Sequence, residues 1–347
     1  MLWFIGTGIS GYTSLTVEAL DIIKKAHYVY LEQFTSPIKH AFVNEIKEIT
    51  TSKFIMAPRW KLEDGNEILK NAKNKNVVVL VYGDPYVATT HIDLRIRANR
   101  EKIKTKTIHA SSSITSIIGE CGLHHYKLGR ITTIINNLKM TYTPYHVIYR
   151  NMIEDNHSVL LLEFNYDKKF FLDPKTALNN LLAIEKLEKR KVITANTYAI
   201  VASRVGYEDQ NIIAGKISSL CKINFGDPPH TIIIIGSLHF TEHDAIKNLL
   251  MCTDEPISNS SNLKTITEQL LNAYIPKLNE TVNHLLHTCT EKEIIDLLDN
   301  AISYSKDARQ FFIDRQNEIA MLSIGYAEGL VDALKFMSGS VKLKRFG

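Results

Sequence analysis

Cysteine is scarce: 347 residues carry four, Cys121, Cys221, Cys252 and Cys289, with no C-x-x-C pair among them. Neither a zinc knuckle nor a disulfide framework is written here, and a reducing compartment fits best. Glycine (16) and proline (9) are sparse as well, which excludes collagen-like and low-complexity chains. No apolar run approaches the roughly 20 residues that cross a bilayer, and no basic leader precedes the apolar start MLWFIG. The expectation is an unexported, cytoplasmic protein without a membrane partner. Charge of one sign is also lacking, since 41 Lys and Arg face 37 Asp and Glu with interspersed signs. A net +4 is too mild to indicate direct nucleic-acid binding. P-loop, G-x-S-x-G and H-E-x-x-H motifs are absent, so hydrolase and triphosphatase readings have no positive support.

What is present is 45% hydrophobic sequence, enough for more than one core. Short β-branched or aliphatic runs alternate with helical patterns, the signature of α/β units with buried strands. Strands are expected at 1–5, 28–32, 77–82 and 107–109, with a helix at 16–26 capped by Thr16 and a basic helix over 88–102. A second set follows: strands at 131–135, 159–164, 198–204, 211–217 and 231–235, with helices at 143–153, 173–190 and 239–250. Asp173-Pro174 is a strong helix start, Asp as N-cap and Pro at the first helical position. The chain therefore reads as an α/β domain over 1–110 and a second, more antiparallel α/β domain over 111–251. A polar, turn-rich linker at 252–262 leads to an all-helical domain at 263–347, with Pro276 marking a kink or break.

Three motifs carry candidate chemistry. Gly6-x-Gly8-x-x-Gly11 follows the first strand and Glu32 lies about 20 residues on, as in a dinucleotide fingerprint. That fingerprint needs its helix to open within the glycines, whereas the helical pattern starts only near Thr16. Glycines that let a turn leave the strand are the better account. Gly83-Asp84-Pro85-Tyr86-Val87 follows the buried run VVVLVY, where open α/β sheets bind ligands, yet turn chemistry explains Asp-Pro equally well. Phe225-Gly226-Asp227-Pro228-Pro229-His230 precedes TIIIIG, and position alone leaves His230 either at the core edge or in a pocket. His91, His109 and the His124-His125 pair lack metal-ligand spacing and read as hydrogen-bonded histidines. Arg95 and Arg97 read first as a solvated helix face, with an acidic partner surface as the alternative.

Taken in order, MLWFIGTGIS, VYLEQFTS, VYGDPYVATTHIDLRIRA, IGECGLHHYKLG, VASRVGYEDQNIIAGKI and FGDPPHTIIIIGSLHFTE resemble the diphthine synthases over about residues 1–250. The resemblance implies a two-domain, tetrapyrrole-methylase-like α/β methyltransferase that binds S-adenosyl-L-methionine in the cleft between its domains. It implies a homodimer acting on a modified histidine of translation elongation factor 2, with trimethylated diphthine as the archaeal product. Cofactor contacts carried over are Ile9, Asp84, Val87, Ser113, Ile114, Leu162, Val205 and His230; no metal is implied and no catalytic base is assigned. SGYTSLT and NNLKMTYTPYH depart from the family pattern, and the helical end resembles an uncharacterised archaeal domain. Two rival readings stay open: a methyltransferase of the same fold acting on a tetrapyrrole or ribosomal RNA, and a non-catalytic binding module.

Overall fold

A computed structural model describes residues 1–259, 263, 265–288 and 290–337. The chain divides into two compact units, Met1–Ser261 and Asn262–Gly347. In the first unit β1 (Leu2–Gly6), β2 (Tyr28–Glu32), β3 (Lys53–Ala57), β4 (Val77–Val81) and β5 (Thr105–Ile108) form one sheet in the order β3-β2-β4-β1-β5. All its pairings are parallel. Every residue of β4, Val-Val-Val-Leu-Val, is buried, as a central strand covered on both faces requires. Thr16 caps the helix Val17–Lys25 by accepting the Ala19 N–H at 3.1 Å, and Ala19 and Ile23 turn into the core.

Two elements differ from the sequence reading. Strand β3 was not expected: KFIMA is an edge strand with mostly half-buried side chains, so it shows no continuous apolar run. The basic helix spans Ile92–Arg100 rather than starting at Ala88, because Ala88 sits at a φ of 57°, outside helical geometry.

The second sheet contains β6 (Thr132–Ile134) and β7 (Ser158–Leu162). After the small hairpin of β8 (Phe164–Asn165) and β9 (Phe170–Phe171) come β10 (Tyr198–Ser203), β11 (Asn211–Lys216), β12 (His230–Ile234) and β13 (Met251–Cys252). Its order is β13-β11-β10-β12-β7-β6. Strand β10 is antiparallel to both neighbours and β12 to β7, while the outer pairs are parallel. Asp173 caps the helix Pro174–Glu188 through the Thr176 N–H at 3.2 Å.

Behind this sheet a fully buried carboxylate organises the chain. Glu242, in the first turn of the helix Phe240–Leu249, accepts the backbone N–H groups of His124 (2.7 Å) and His239 (2.8 Å). Its remaining partners are buried His157 at 3.0 Å and the Lys127 ammonium at 3.2 Å. Burial opposes its charge, but the hydrogen bonds from His157, His239 and His124 prevail and hold the carboxyl far below its ordinary 4.5.

The stretch expected as a linker is instead bound to the second sheet as far as Asn259. Thr253 N–H donates to Ala214 O at 2.9 Å, and the Asn259 side chain bridges Tyr198 and Ile235. Residues 260–262 lie outside the described ones, as do Cys289 and the basic end at 342–345.

The second unit is a three-helix bundle of Ile266–Thr288, Lys292–Ile313 and Asn317–Met337, packed around Leu271, Leu278, Val282, Leu298, Ile324 and Val331. The first helix passes Pro276 without a break. Burial of Leu271, Leu278 and Val282 on either side of the proline outweighs a local cost of about 3 kcal/mol. Among the described residues no helix is long and apolar enough to cross a membrane.

Glu242→Gln is expected to destabilise the first unit by about 3 kcal/mol or more, since it leaves Lys127 facing an uncharged group in the interior. The native carboxyl titrates below its unfolded value, so its contribution is complete above about pH 4.5 and is lost as pH falls through the native value. The gap between wild type and variant should therefore narrow under acid. Urea unfolding at pH 7 and pH 3.5 checks this; an equal gap at both would contradict it.

Candidate functional site

A cavity of about 490 Å³ opens between the carboxyl end of the parallel sheet and the second sheet. That volume lies within the range of small-molecule sites. Three sets of interactions shape it.

The first joins the loops after β1 and β4. Gly8 and Gly83 exchange backbone hydrogen bonds, Gly8 N to Gly83 O at 3.2 Å and Gly83 N to Gly8 O at 3.0 Å. Both have positive φ, and a Cβ on Gly8 would lie 2.5 Å from Ser14 Cβ. Gly6 and Gly8 thus serve close contact between the loops, and the following α-helix begins only at Val17, as the sequence reading expects.

The second centres on two carboxylates. Glu32, 1% exposed at the end of β2, accepts Tyr82 N–H at 3.0 Å, the Thr35 hydroxyl at 2.8 Å and His91 Nε2 at 2.8 Å. It binds protein groups throughout, so the ribose role of a dinucleotide site does not apply. Asp84 accepts Tyr86 N–H at 3.0 Å and Ala110 N–H at 3.4 Å, and contacts His109 Nδ1 at 2.7 Å. It is only 8% exposed: a buried turn organiser that also lines the cavity, so the two alternatives the sequence left open for it hold together.

The third comes from the second sheet. Arg204, at a φ of 52° just after β10, donates from Nη1 to Phe225 O at 2.9 Å and to Asp227 O. Its Nε meets the Asp209 carboxylate at 2.7 Å. This clamp sets the 225–229 loop that delivers His230. His230 Nε2 lies 3.2 Å from Gly226 O and must be the N–H, so Nδ1 accepts the Ser203 hydroxyl at 2.8 Å. Burial lowers the His230 pKa, the Gly226 hydrogen bond opposes that shift, and the Arg204 charge adds to it.

Asp84, Val87, Ser113, Ile114, Leu162, Val205 and His230 all line this one cavity. Ser113 and Ile114 open the helix Ser113–Glu120, where Ser112 Oγ accepts the Ile114 N–H at 3.3 Å. A helix start with free N–H groups suits an anionic ligand group. Ile9 is placed elsewhere. It is 7% exposed, packs in a core cluster with Ile117, Ala202 and Val205, and touches Gly206 so closely that a Cβ there would lie 2.7 Å from Ile9 Cγ1. Sequence reasoning missed Arg204, Phe34 and Arg59, which also line the cavity. Arg204 had a signal, a charged residue directly after the largely apolar strand YAIVAS; Phe34 and Arg59 stand in loop and short helix with none. Among the described residues no cluster of His, Cys, Asp and Glu could hold a metal ion.

A parallel sheet joined to a mixed sheet, with a cavity between them, is the mixed α/β build of a methylase. The sequence profile of the tetrapyrrole (corrin/porphyrin) methylases matches residues 1–221, and the chain belongs to that family, as a methyltransferase that draws on a methyl donor. Within it the chain belongs to the diphthine synthases. It is 36% identical to a diphthine synthase of Methanococcus maripaludis over 72% of this chain and 98% of the relative. It is 33% identical to the diphthine methyl ester synthase of Dictyostelium discoideum, over 70% and 96% respectively. A crystal structure of diphthine synthase superposes with a TM-score of 0.63 at 30% identity, covering 72% of this chain and 96% of that one. Residues 273–339 match a separate domain family of unknown function.

His230 is expected to titrate below 6.5, because its native pKa is depressed. The neutral ring then favours the fold above pH 6.5, and that contribution fades as pH drops through the native value. Histidine resonances followed by NMR between pH 8 and pH 5 measure it directly; a midpoint above 6.5 would refute the half-buried, neutral assignment.

Proposed function

We propose that the protein transfers methyl groups from S-adenosylmethionine to the amino group of 2-(3-amino-3-carboxypropyl)histidine on translation elongation factor 2, giving diphthine. The supporting observation is the coincidence of two facts. The chain spans 98% of a diphthine synthase, and seven of the residues expected to touch the cofactor border one cavity.

The lining suits the cofactor's parts. The start of the helix at Ser113 would take its amino-acid carboxylate, and Val87, Ile114, Leu162 and Val205 offer apolar walls for its base. His230, neutral near pH 7, adds no positive charge beside a sulfonium. When bound, S-adenosylmethionine supplies an electrophilic methyl on sulfur, so transfer relocates an existing positive charge and leaves the thioether behind. The chain must then align the acceptor nitrogen with that methyl and accept the proton the amine releases before it attacks. Holding donor and acceptor at about 3 to 3.5 Å accounts for several kcal/mol of the acceleration. A cytoplasmic homodimer belongs to the same reading.

Two measurements test it. Mass spectrometry of elongation factor 2 carrying the intermediate, incubated with the protein and S-adenosylmethionine, should show stepwise methyl additions up to three, with none on the unmodified factor. No shift on the intermediate would sink the proposed substrate. Asp84→Ala should lower S-adenosylmethionine affinity at least about tenfold in calorimetry and cost about 1–3 kcal/mol of stability, because buried N–H groups lose their acceptor. Undiminished affinity would reject the cofactor site.

A further inference from the structure

Of the cations on the cavity lining, Arg204 is consumed by the 225–229 loop and Asp209. Arg59 is not. Its Nε contacts Glu63 Oε1 at 2.7 Å, while Nη1 and Nη2 make no hydrogen bond or ion pair among the described residues. The side chain is 65% exposed, and the guanidinium lies over the Phe34 ring, 5.8 Å from its centroid.

Exposed arginines are common, but this one stands on an anchored support. Arg59 opens the short helix Arg59–Asp64 directly after β3. The far end of that helix is held by Arg97, whose Nη1 donates to Asp64 O at 2.7 Å and Nη2 to Glu63 O at 2.8 Å. Phe34 is fixed in turn by an edge contact with His91, centroids 5.7 Å apart, and His91 by the buried Glu32 carboxylate. A guanidinium with Nε occupied, a free pair of terminal nitrogens and an aromatic ring beneath is prepared for a planar anion such as a carboxylate.

Resting on the functional reading above, which supplies an acceptor with an α-amino-acid end, we infer that Arg59, backed by Phe34, binds the acceptor's carboxylate. The adjoining amine is thereby set toward the cofactor part of the same cavity. Arg59 is a binding residue for the protein substrate and contributes nothing to holding the methyl donor.

The test compares wild type, Arg59→Ala and Arg59→Lys as full-length proteins. Without cofactor, the affinity for elongation factor 2 carrying the intermediate should fall about ten- to a hundredfold in Arg59→Ala, and less in Arg59→Lys, which keeps the charge but loses the fork. The KM for the modified factor should rise in parallel while the calorimetric affinity for S-adenosylmethionine stays at the wild-type value. If wild type methylates the factor and Arg59→Ala does so with unchanged KM and affinity, this inference alone falls. A parallel loss of cofactor affinity would mark Arg59 as structural and equally overturn it. Wild type that transfers no methyl overturns the functional reading first, and this inference with it.

Discussion

The site depends on the Glu32 carboxylate. From the end of β2 it fixes the first residue after β4 through the Tyr82 N–H, the 33–37 loop through the Thr35 hydroxyl, and the start of the helix Ile92–Arg100 through His91. These three segments form much of the cavity's parallel-sheet side. A carboxylate buried to 1% exposure is costly unless its acceptor sites are filled, and here each oxygen is engaged. Moving any of the three segments would therefore leave a buried charge short of a partner, which makes the geometry of the ligand loop insensitive to small changes elsewhere.

The second sheet repeats the device with Glu242, buried among two backbone N–H groups, a histidine and a lysine. In both places the carboxylate joins segments distant in sequence. The 33–37 loop and the residues after β4, held by Glu32, border the cavity, where one side must stay open for ligand. Polar anchoring from behind is the available alternative. It also gives the first unit a dependence on acid that an apolar anchor would lack, with the sign set by the depressed Glu242 carboxyl.

How much of this was legible follows the physics of each element. The central strands β1, β2, β4, β10 and β12 are nearly continuous apolar runs because both faces are covered, and that pattern needs no context. The caps Thr16 and Asp173 were readable because a short oxygen-bearing side chain before a helical pattern has one main use. Strand β3 escaped because edge position relaxes its pattern, and Ala88 misled because nothing in its identity announces a positive φ. Pro276 misled in the opposite direction: local propensity argues for a break, and packing on two other helices overrides it. For the site, the Gly-Asp-Pro turn and the histidine that opens β12 were visible as positions. The roles of Glu32 and Arg204 were not, because a long-range hydrogen bond leaves no periodicity behind.

The arginines make the same point about charge. Arg95 and Arg97 drew notice as basic residues on a helix beyond the ligand loop, open to reading as a solvated face or a docking surface. In the fold they part company. Arg95 lies over the Tyr86 ring, 5.4 Å from its centroid, while Arg97 spends both terminal nitrogens on backbone carbonyls and its Nε lies 3.0 Å from the Asp93 carboxylate. Arg97 is structural, and what it secures is the short helix that presents Arg59 to the cavity. Counting basic residues could not separate these roles, because net charge records how many guanidinium groups exist and not which have their donors filled. The separation appears only when each donor is followed to its acceptor. On that criterion the cation fitted to meet an acidic group of the substrate stands on the element the sequence had concealed, just after the strand that was missed.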